Sequence, residues 1–368
     1  MEDYCRAILN EPLFWGMTLE ERLRYYKISA FSMVLISKGA VDCSSCFGYK
    51  NRAVEDKVAC NTVTENTLFQ AGSISKPVFA TAVMRLVQRK VLDLDKDIRE
   101  YVNTSFYTTY DNQEHAVSLR QLLSHTAGFN LHGFAGYQHG QLIPSLEQIL
   151  RGKEPSNNLP LFLIKEPGKE WSYSGGGYLL AQKVVCEVMG SDFETILQSE
   201  VLQPFGMKCS TYQQPICKER RPNIAHGYNY HNLELPDGCN TMPELAAAGL
   251  WTTPSDLALY GIEMMKAYHG NSKHITKESM DTMLTRVMPN TPTGLGLYIP
   301  KDNSKGYFDH TGSNYGYHSI LCFQAEENTG YAAMMNSDIG EDFYHELNGT
   351  ISKYMHFYML SVVLIPML

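Results

Sequence analysis

Thr67-Leu68-Phe69-Gln70-Ala71-Gly72-Ser73-Ile74-Ser75-Lys76-Pro77 is where the chain changes its period, and that change decides the fold. Upstream, Ala30 to Ile36 is an apolar run of strand length, Ser37-Lys38-Gly39 a turn, and Ala40 to Tyr49 a returning strand. Downstream, Val78, Ala82, Leu86 and Val87 fall near helical spacing as far as Lys90, with Pro77 in the first turn, where its missing N–H costs nothing. A helix therefore begins close to Ser73.

Further out, Thr18-Leu19-Glu20-Glu21 has capping-box spacing ahead of Leu23 and Tyr26, so a helix precedes the hairpin. Leu119 to Ser124 predicts a short helix leading into His125-Thr126-Ala127-Gly128, and Tyr178 to Met189 a strongly apolar one closed by Gly190. Strand-like runs return at Gly294 to Ile299, His318 to Gln324 and Tyr331 to Met335. Strands at both ends and helices between them predict an α/β (α+β) chain, with a lobe built from the two termini and a helical lobe inserted.

The 368 residues carry 31 Lys+Arg against 39 Asp+Glu, a net charge of −8, with 44% apolar and 19% charged residues. That excludes a disordered chain, a collagen and a bundle of membrane spans. With no block of Lys/Arg there is no electrostatic footprint for nucleic acid, so the expected partner is a small molecule or peptide. Nine cysteines, scattered from Cys5 to Cys322, do not make a dense disulfide framework. Cys43 and Cys46 have redox or zinc spacing, but no second pair accompanies them, and they read as ordinary thiols. The twelve histidines contain no His-Glu-x-x-His, so neither a metal nor another cofactor is expected. His132 and His139 read as surface residues, His125 and His226 as packed or hydrogen-bonded ones.

Met1 to Asn10 shows no signal peptide, which points to the cytoplasm unless a leader has been removed. Tyr354 to Leu368 is apolar but shorter than the roughly 20 residues of a spanning helix. It reads as a terminal helix docked on the sheet and then a tail, in preference to a membrane anchor.

Three short motifs carry chemistry. In Ser73-Ile74-Ser75-Lys76 the hydroxyl and the amine are three apart on a helix, hence neighbours, and a Ser nucleophile needs such an adjacent base. A Lys serves as base only if its pKa of about 10.4 is depressed. The second motif, Trp171-Ser172-Tyr173-Ser174-Gly175-Gly176-Gly177-Tyr178, lacks the Gly-Lys-Ser/Thr of a phosphate loop; its glycines permit close backbone approach, and Tyr173 offers a phenol. The third, His310-Thr311-Gly312-Ser313, can put a backbone N–H and an imidazole against a substrate oxygen.

In this order and on these elements, the three motifs resemble the layout of the serine β-lactamase and penicillin-binding-protein family, in particular its class C β-lactamase and esterase branch. The similarity runs from about Phe31 to Tyr354, through Leu92-Asp93-Leu94-Asp95, Leu122 to Gly128, Ala247 to Asp256 and Met335 to Asp338. It implies an antiparallel sheet flanked by helices, a helical lobe and a site in the cleft between them. As one catalytic unit this would cover 20–355, the α/β lobe from about 20–72 and 215–355 and the helical lobe from about 73–214, with 356–368 as an apolar tail.

The resemblance implies Ser73 as acylated nucleophile, Lys76 as proton-handling amine and Tyr173 as the phenol that serves as base and then acid. It puts the oxyanion between the N–H groups of Ser73 and Ser313, next to Gly312. A Tyr173 phenoxide near pH 7 would need its pKa of about 10 pulled down, with a Lys76 cation as the cause. Two positions depart from the family: Gly175 stands where class C enzymes carry an Asn, and His310 where many carry a Lys, making a positive charge facing a substrate carboxylate conditional on pH. Both shift weight from β-lactam hydrolysis to ester or amide cleavage through an acyl-enzyme on Ser73. A D-amino-acid-specific peptidase, a weak class C β-lactamase and a non-catalytic penicillin-binding module stand as rivals.

Overall fold

The computed structural model describes residues 16–54, 59–104, 107–303 and 305–355. The Thr18 hydroxyl accepts the Glu21 N–H while the Glu21 carboxylate accepts the Thr18 N–H at 2.8 Å, and this reciprocal cap starts α1 (Leu19–Tyr25). β1 (Ala30–Ser37) and β2 (Ala40–Gly48) then pair antiparallel. β3 (Phe69–Gln70) leads through a 3₁₀ turn, Gly72–Ile74, into α2 (Ser75–Gln88).

The middle of the chain holds β4 (Thr108–Thr109), α3 (Leu119–Leu123), α4 (Leu146–Arg151), β5 (Phe162–Leu163), α5 (Gly175–Met189) and α6 (Phe193–Leu197). After these come α7 (Leu245–Ala248), β6 (Trp251–Thr252), α8 (Pro254–Tyr268) and α9 (Lys277–Met283). β7 (Tyr307–Asn314), β8 (Tyr317–Gln324), β9 (Thr329–Met335) and α10 (Gly340–Met355) complete the described chain.

Both ends of the chain meet in one antiparallel sheet, ordered β2-β1-β9-β8-β7. Its central strands alternate between two cores, as a period of two requires. Phe31, Met33 and Leu35 of β1, with Tyr331, Ala333 and Met335 of β9, face Leu19 and Leu23 of α1 and Phe343 and Leu347 of α10. Val34, Ile36, Ala332 and Met334 face the opposite way, into the large core with Leu257, Tyr260 and Met264 of α8. The fold is thus an antiparallel sheet with helices on both faces.

Two expectations are corrected. Gly294 to Ile299 is not a strand: Gly296 takes a left-handed φ of +76°, so the run folds back, leaving Thr293 and Tyr298 as an isolated bridge. The apolar helix starts at Gly175 rather than Tyr178, because Ser174 caps it by accepting the Gly177 N–H at 3.0 Å. A helix runs over 340–355, and of the expected helix and tail from Tyr354 to Leu368 all but the first two residues lie outside the described residues. Cys43 and Cys46 lie three apart on β2, on opposite faces of the sheet, so they cannot act as one dithiol. No helix among the described residues is long and apolar enough to cross a membrane.

Candidate active site

β3 and the 3₁₀ turn bring Ser73 to the start of α2, half-buried, while Lys76 in the helix's first turn is only 2% exposed. Lys76 Nζ lies 3.1 Å from Ser73 Oγ and donates to the Ala247 carbonyl of α7 at 2.8 Å. Burial without an acidic partner disfavours the ammonium and brings its pKa down to about 7. A buried lysine at this value is a usable base at neutral pH.

Tyr173 joins this pair. Its ring centroid lies 4.9 Å from Lys76 Nζ. Burial raises the phenol pKa well above 10, and the nearby Ser73 hydroxyl offsets only part of that. The lowered pKa that a phenoxide would need is not met: desolvation outweighs any help from Lys76, so at neutral pH the phenol keeps its proton and the amine is the group poised to lose one.

His125 holds Tyr173 in place. Its carbonyl accepts the Ser172 N–H at 2.8 Å, its Nδ1 accepts the Ser174 N–H at 3.1 Å, and its ring stacks on the phenol at 4.2 Å. Burial keeps this imidazole neutral. His132 is exposed as a residue, yet its ring sits 4.8 Å from that of Tyr173. Neither role was legible in the sequence, although Leu122 to Gly128 stood out there as a segment, because both depend on contacts across 41 to 48 positions in the chain. His226 is hydrogen-bonded as expected, to Glu234 at 2.7 Å, and exposed His139 pairs with Asp237 at 3.1 Å.

β7 is the edge strand beside the nucleophile. Asp309 exchanges both backbone bonds with Tyr298, on the side of β7 away from β8. The ladder from Tyr307 to Asn314 has no bulge, so the N–H groups of Thr311 and Ser313 point to that same outer side. There β7 meets the nucleophile turn: a Cβ on Gly72 would come within 2.6 Å of Ser313 N, and one on Gly312 would overlap the Ala71 carbonyl. Glycine at both positions is what lets β7 and the nucleophile turn pack this closely.

His310 and Gly175 are both held by their surroundings. His310 is buried and its Nδ1 sits 2.6 Å from the Thr311 carbonyl, so Nδ1 carries the proton of a neutral ring. Burial, reinforced by the Lys76 charge, lowers its pKa to about 3, and it supplies no positive charge near neutral pH. Gly175 is the seat of a loop: its N–H donates to the His132 carbonyl at 3.1 Å, and a Cβ there would lie 2.8 Å from the Phe134 ring.

Glu244, just before α7, is fully buried, and neither carboxyl oxygen has a hydrogen-bond donor among the described residues. Burial raises its pKa to about 8. For an acid so raised, stability is complete below about 4.3, the ordinary Glu value, and is lost as pH climbs to about 8. Glu244→Gln should therefore match the wild type at pH 5 and exceed it at pH 9 by on the order of 3 kcal/mol in urea unfolding. An identical difference at both pH values would contradict the protonated acid.

The chain matches the Beta-lactamase family model over residues 18–353, and it belongs to that family of serine hydrolases. Esterase EstB of Burkholderia gladioli is 32% identical over 164 residues, 43% of this chain and 41% of the esterase. Among solved structures, the octameric penicillin-binding protein homologue from Pyrococcus abyssi matches with a TM-score of 0.73 at 24% identity, over 91% of this chain and 75% of that one. D-amino acid amidase from Ochrobactrum anthropi SV3 matches with a TM-score of 0.70 at 20% identity, over 96% of this chain and 98% of the amidase. The two structural likenesses speak for the fold.

Proposed function

We propose that the protein cleaves an uncharged carboxylic ester or amide through an acyl-enzyme on Ser73. The observation that carries this reading is the contact of Ser73 Oγ with a buried lysine whose pKa lies near 7. Neutral Lys76 takes the Ser73 proton as Oγ attacks the carbonyl carbon, and the oxyanion forms between the Ser73 and Ser313 N–H groups. The C–O or C–N bond then breaks. Tyr173 gives its proton to the leaving group and recovers one from the Lys76 ammonium, so the proton lost by Ser73 has in effect been passed on. Water, deprotonated along the same path in reverse, releases the acid and restores Ser73.

His310 is neutral and Lys76 is only about half protonated near pH 7, so neither of these two supplies a fixed cation to a substrate carboxylate, which weighs against carboxylate-bearing β-lactams and D-alanyl peptides. The test is a chromogenic short-chain ester together with a fluorophosphonate. Wild type should turn over the first and be labelled by the second, and Ser73→Ala should do neither. Equal behaviour of the two proteins would end the proposal, and labelling without turnover would favour the non-catalytic binding module.

A further inference from the structure

A chain of buried amides lies directly behind the proposed oxyanion site. Asn314 Nδ2 donates to Gln70 Oε1 at 2.8 Å and to the Ala248 carbonyl at 3.0 Å. Gln70 Nε2 in turn donates to the Asn240 carbonyl at 2.6 Å, and Asn240 Nδ2 to the Ala135 carbonyl at 3.0 Å. Asn314, Gln70 and Asn240 are all buried, where a polar side chain is costly unless bonded, and a Leu could fill the same space without that cost.

Where these bonds end is what gives them meaning. Asn314 follows Ser313, whose N–H faces the nucleophile turn; Gln70 stands three residues before Ser73; Ala248 follows Ala247, whose carbonyl fixes Lys76. One side-chain amide therefore joins the oxyanion strand, the nucleophile strand and the turn that holds the base. Asn240 extends the connection to the loop that carries His132 and Phe134 to the cleft.

We infer that Asn314 and Gln70 are positioning residues which fix the gap between the Ser313 and Ser73 N–H groups through their shared Nδ2–H···Oε1 bond. The inference rests on the hydrolase reading given above. It predicts a loss of transition-state stabilisation in place of a loss of substrate binding.

The experiment compares Asn314→Leu, Gln70→Leu and the double variant on p-nitrophenyl butyrate, with Ser73→Ala as control. Turnover is expressed per site titrated by fluorophosphonate, and affinity is measured for an arylboronic acid, whose tetrahedral adduct on Ser73 carries an oxygen in the oxyanion position. Each single variant should lose about 30-fold in kcat with KM within about threefold, and boronate affinity should fall in parallel. The double variant should lose no more than the worse single one, since both remove the same bond. If Asn314→Leu does not fold, Asn314→Asp keeps the shape, lacks the Nδ2 donor and carries the same expectation.

Two results overturn the positioning role: kcat per titrated site within about threefold of wild type despite a lowered Tm, or losses that multiply in the double variant. Either leaves the hydrolase reading standing so long as Ser73→Ala is inactive. Turnover that persists in Ser73→Ala overturns both.

Discussion

Lys76→Met should lose about a thousandfold in kcat/KM on the chromogenic ester while folding better than the wild type at pH 6. The first effect follows from removing the base beside Ser73 Oγ; a positioned general base contributes about 10²–10⁴. The second follows from linkage. Lys76 has a folded pKa of about 7 against about 10.4 for an ordinary lysine, so the wild type loses stability as pH falls between these values and stays penalised below about 7. Methionine fills much of the same volume without a charge, so the variant should gain a few kcal/mol in urea unfolding at pH 6 and lose that advantage near pH 10.5. Unchanged activity would remove Lys76 from the chemistry, and a pH-independent stability difference would contradict a buried amine with a lowered pKa.

Gly312→Ala should be nearly inactive although its change is a single methyl group. That methyl would overlap the Ala71 carbonyl and crowd the Ser319 hydroxyl, which bonds Ala71 O at 2.8 Å. Neither neighbour can yield cheaply, because Ala71 leads directly into the nucleophile turn and Ser319 is buried in β8. β7 must then move off the turn, at a cost of about 1–3 kcal/mol for overpacking. Separating the Ser313 N–H from Ser73 should lower kcat/KM by about 10² or more, the usual consequence of losing one oxyanion donor. Steady-state kinetics well below the variant's Tm separate the two effects, and a folded Gly312→Ala with near-normal kcat/KM would contradict the proposed oxyanion geometry.

What could be read from the sequence was mostly what is settled within a few residues. The Thr18 cap, the β1–β2 hairpin, the body of α2 and the closure of α5 at Gly190 all depend on local spacing and turn chemistry, and each stands in the structure. Ser73 and Lys76 are three apart on one helix, so their contact was legible too. Leu295, Leu297 and Ile299 alternate like a strand, but that periodicity cannot reveal Gly296 folding back against Lys76 and Pro77.

The protonation of the site was misread for a related reason. The family resemblance puts Lys76 beside Tyr173 and shows a His in place of a Lys, and charge proximity then offers a phenoxide and a switchable cation. Burial is a property of the assembled molecule, and here it dominates: it holds Tyr173 protonated and His310 neutral, and it brings the Lys76 pKa down to about 7. Gly175 was read through a departure from a motif, whereas its reason is the Phe134 ring lying where a Cβ would be.

The most direct test of the whole scheme is the rate of fluorophosphonate labelling as a function of pH, with the adduct located by peptide mass spectrometry. A single adduct is expected on Ser73, formed at a rate that rises about tenfold per pH unit below about 7 and levels off above it, as Lys76 becomes neutral. An adduct on any other residue, or a labelling rate that is flat from pH 5 to pH 9, would contradict it.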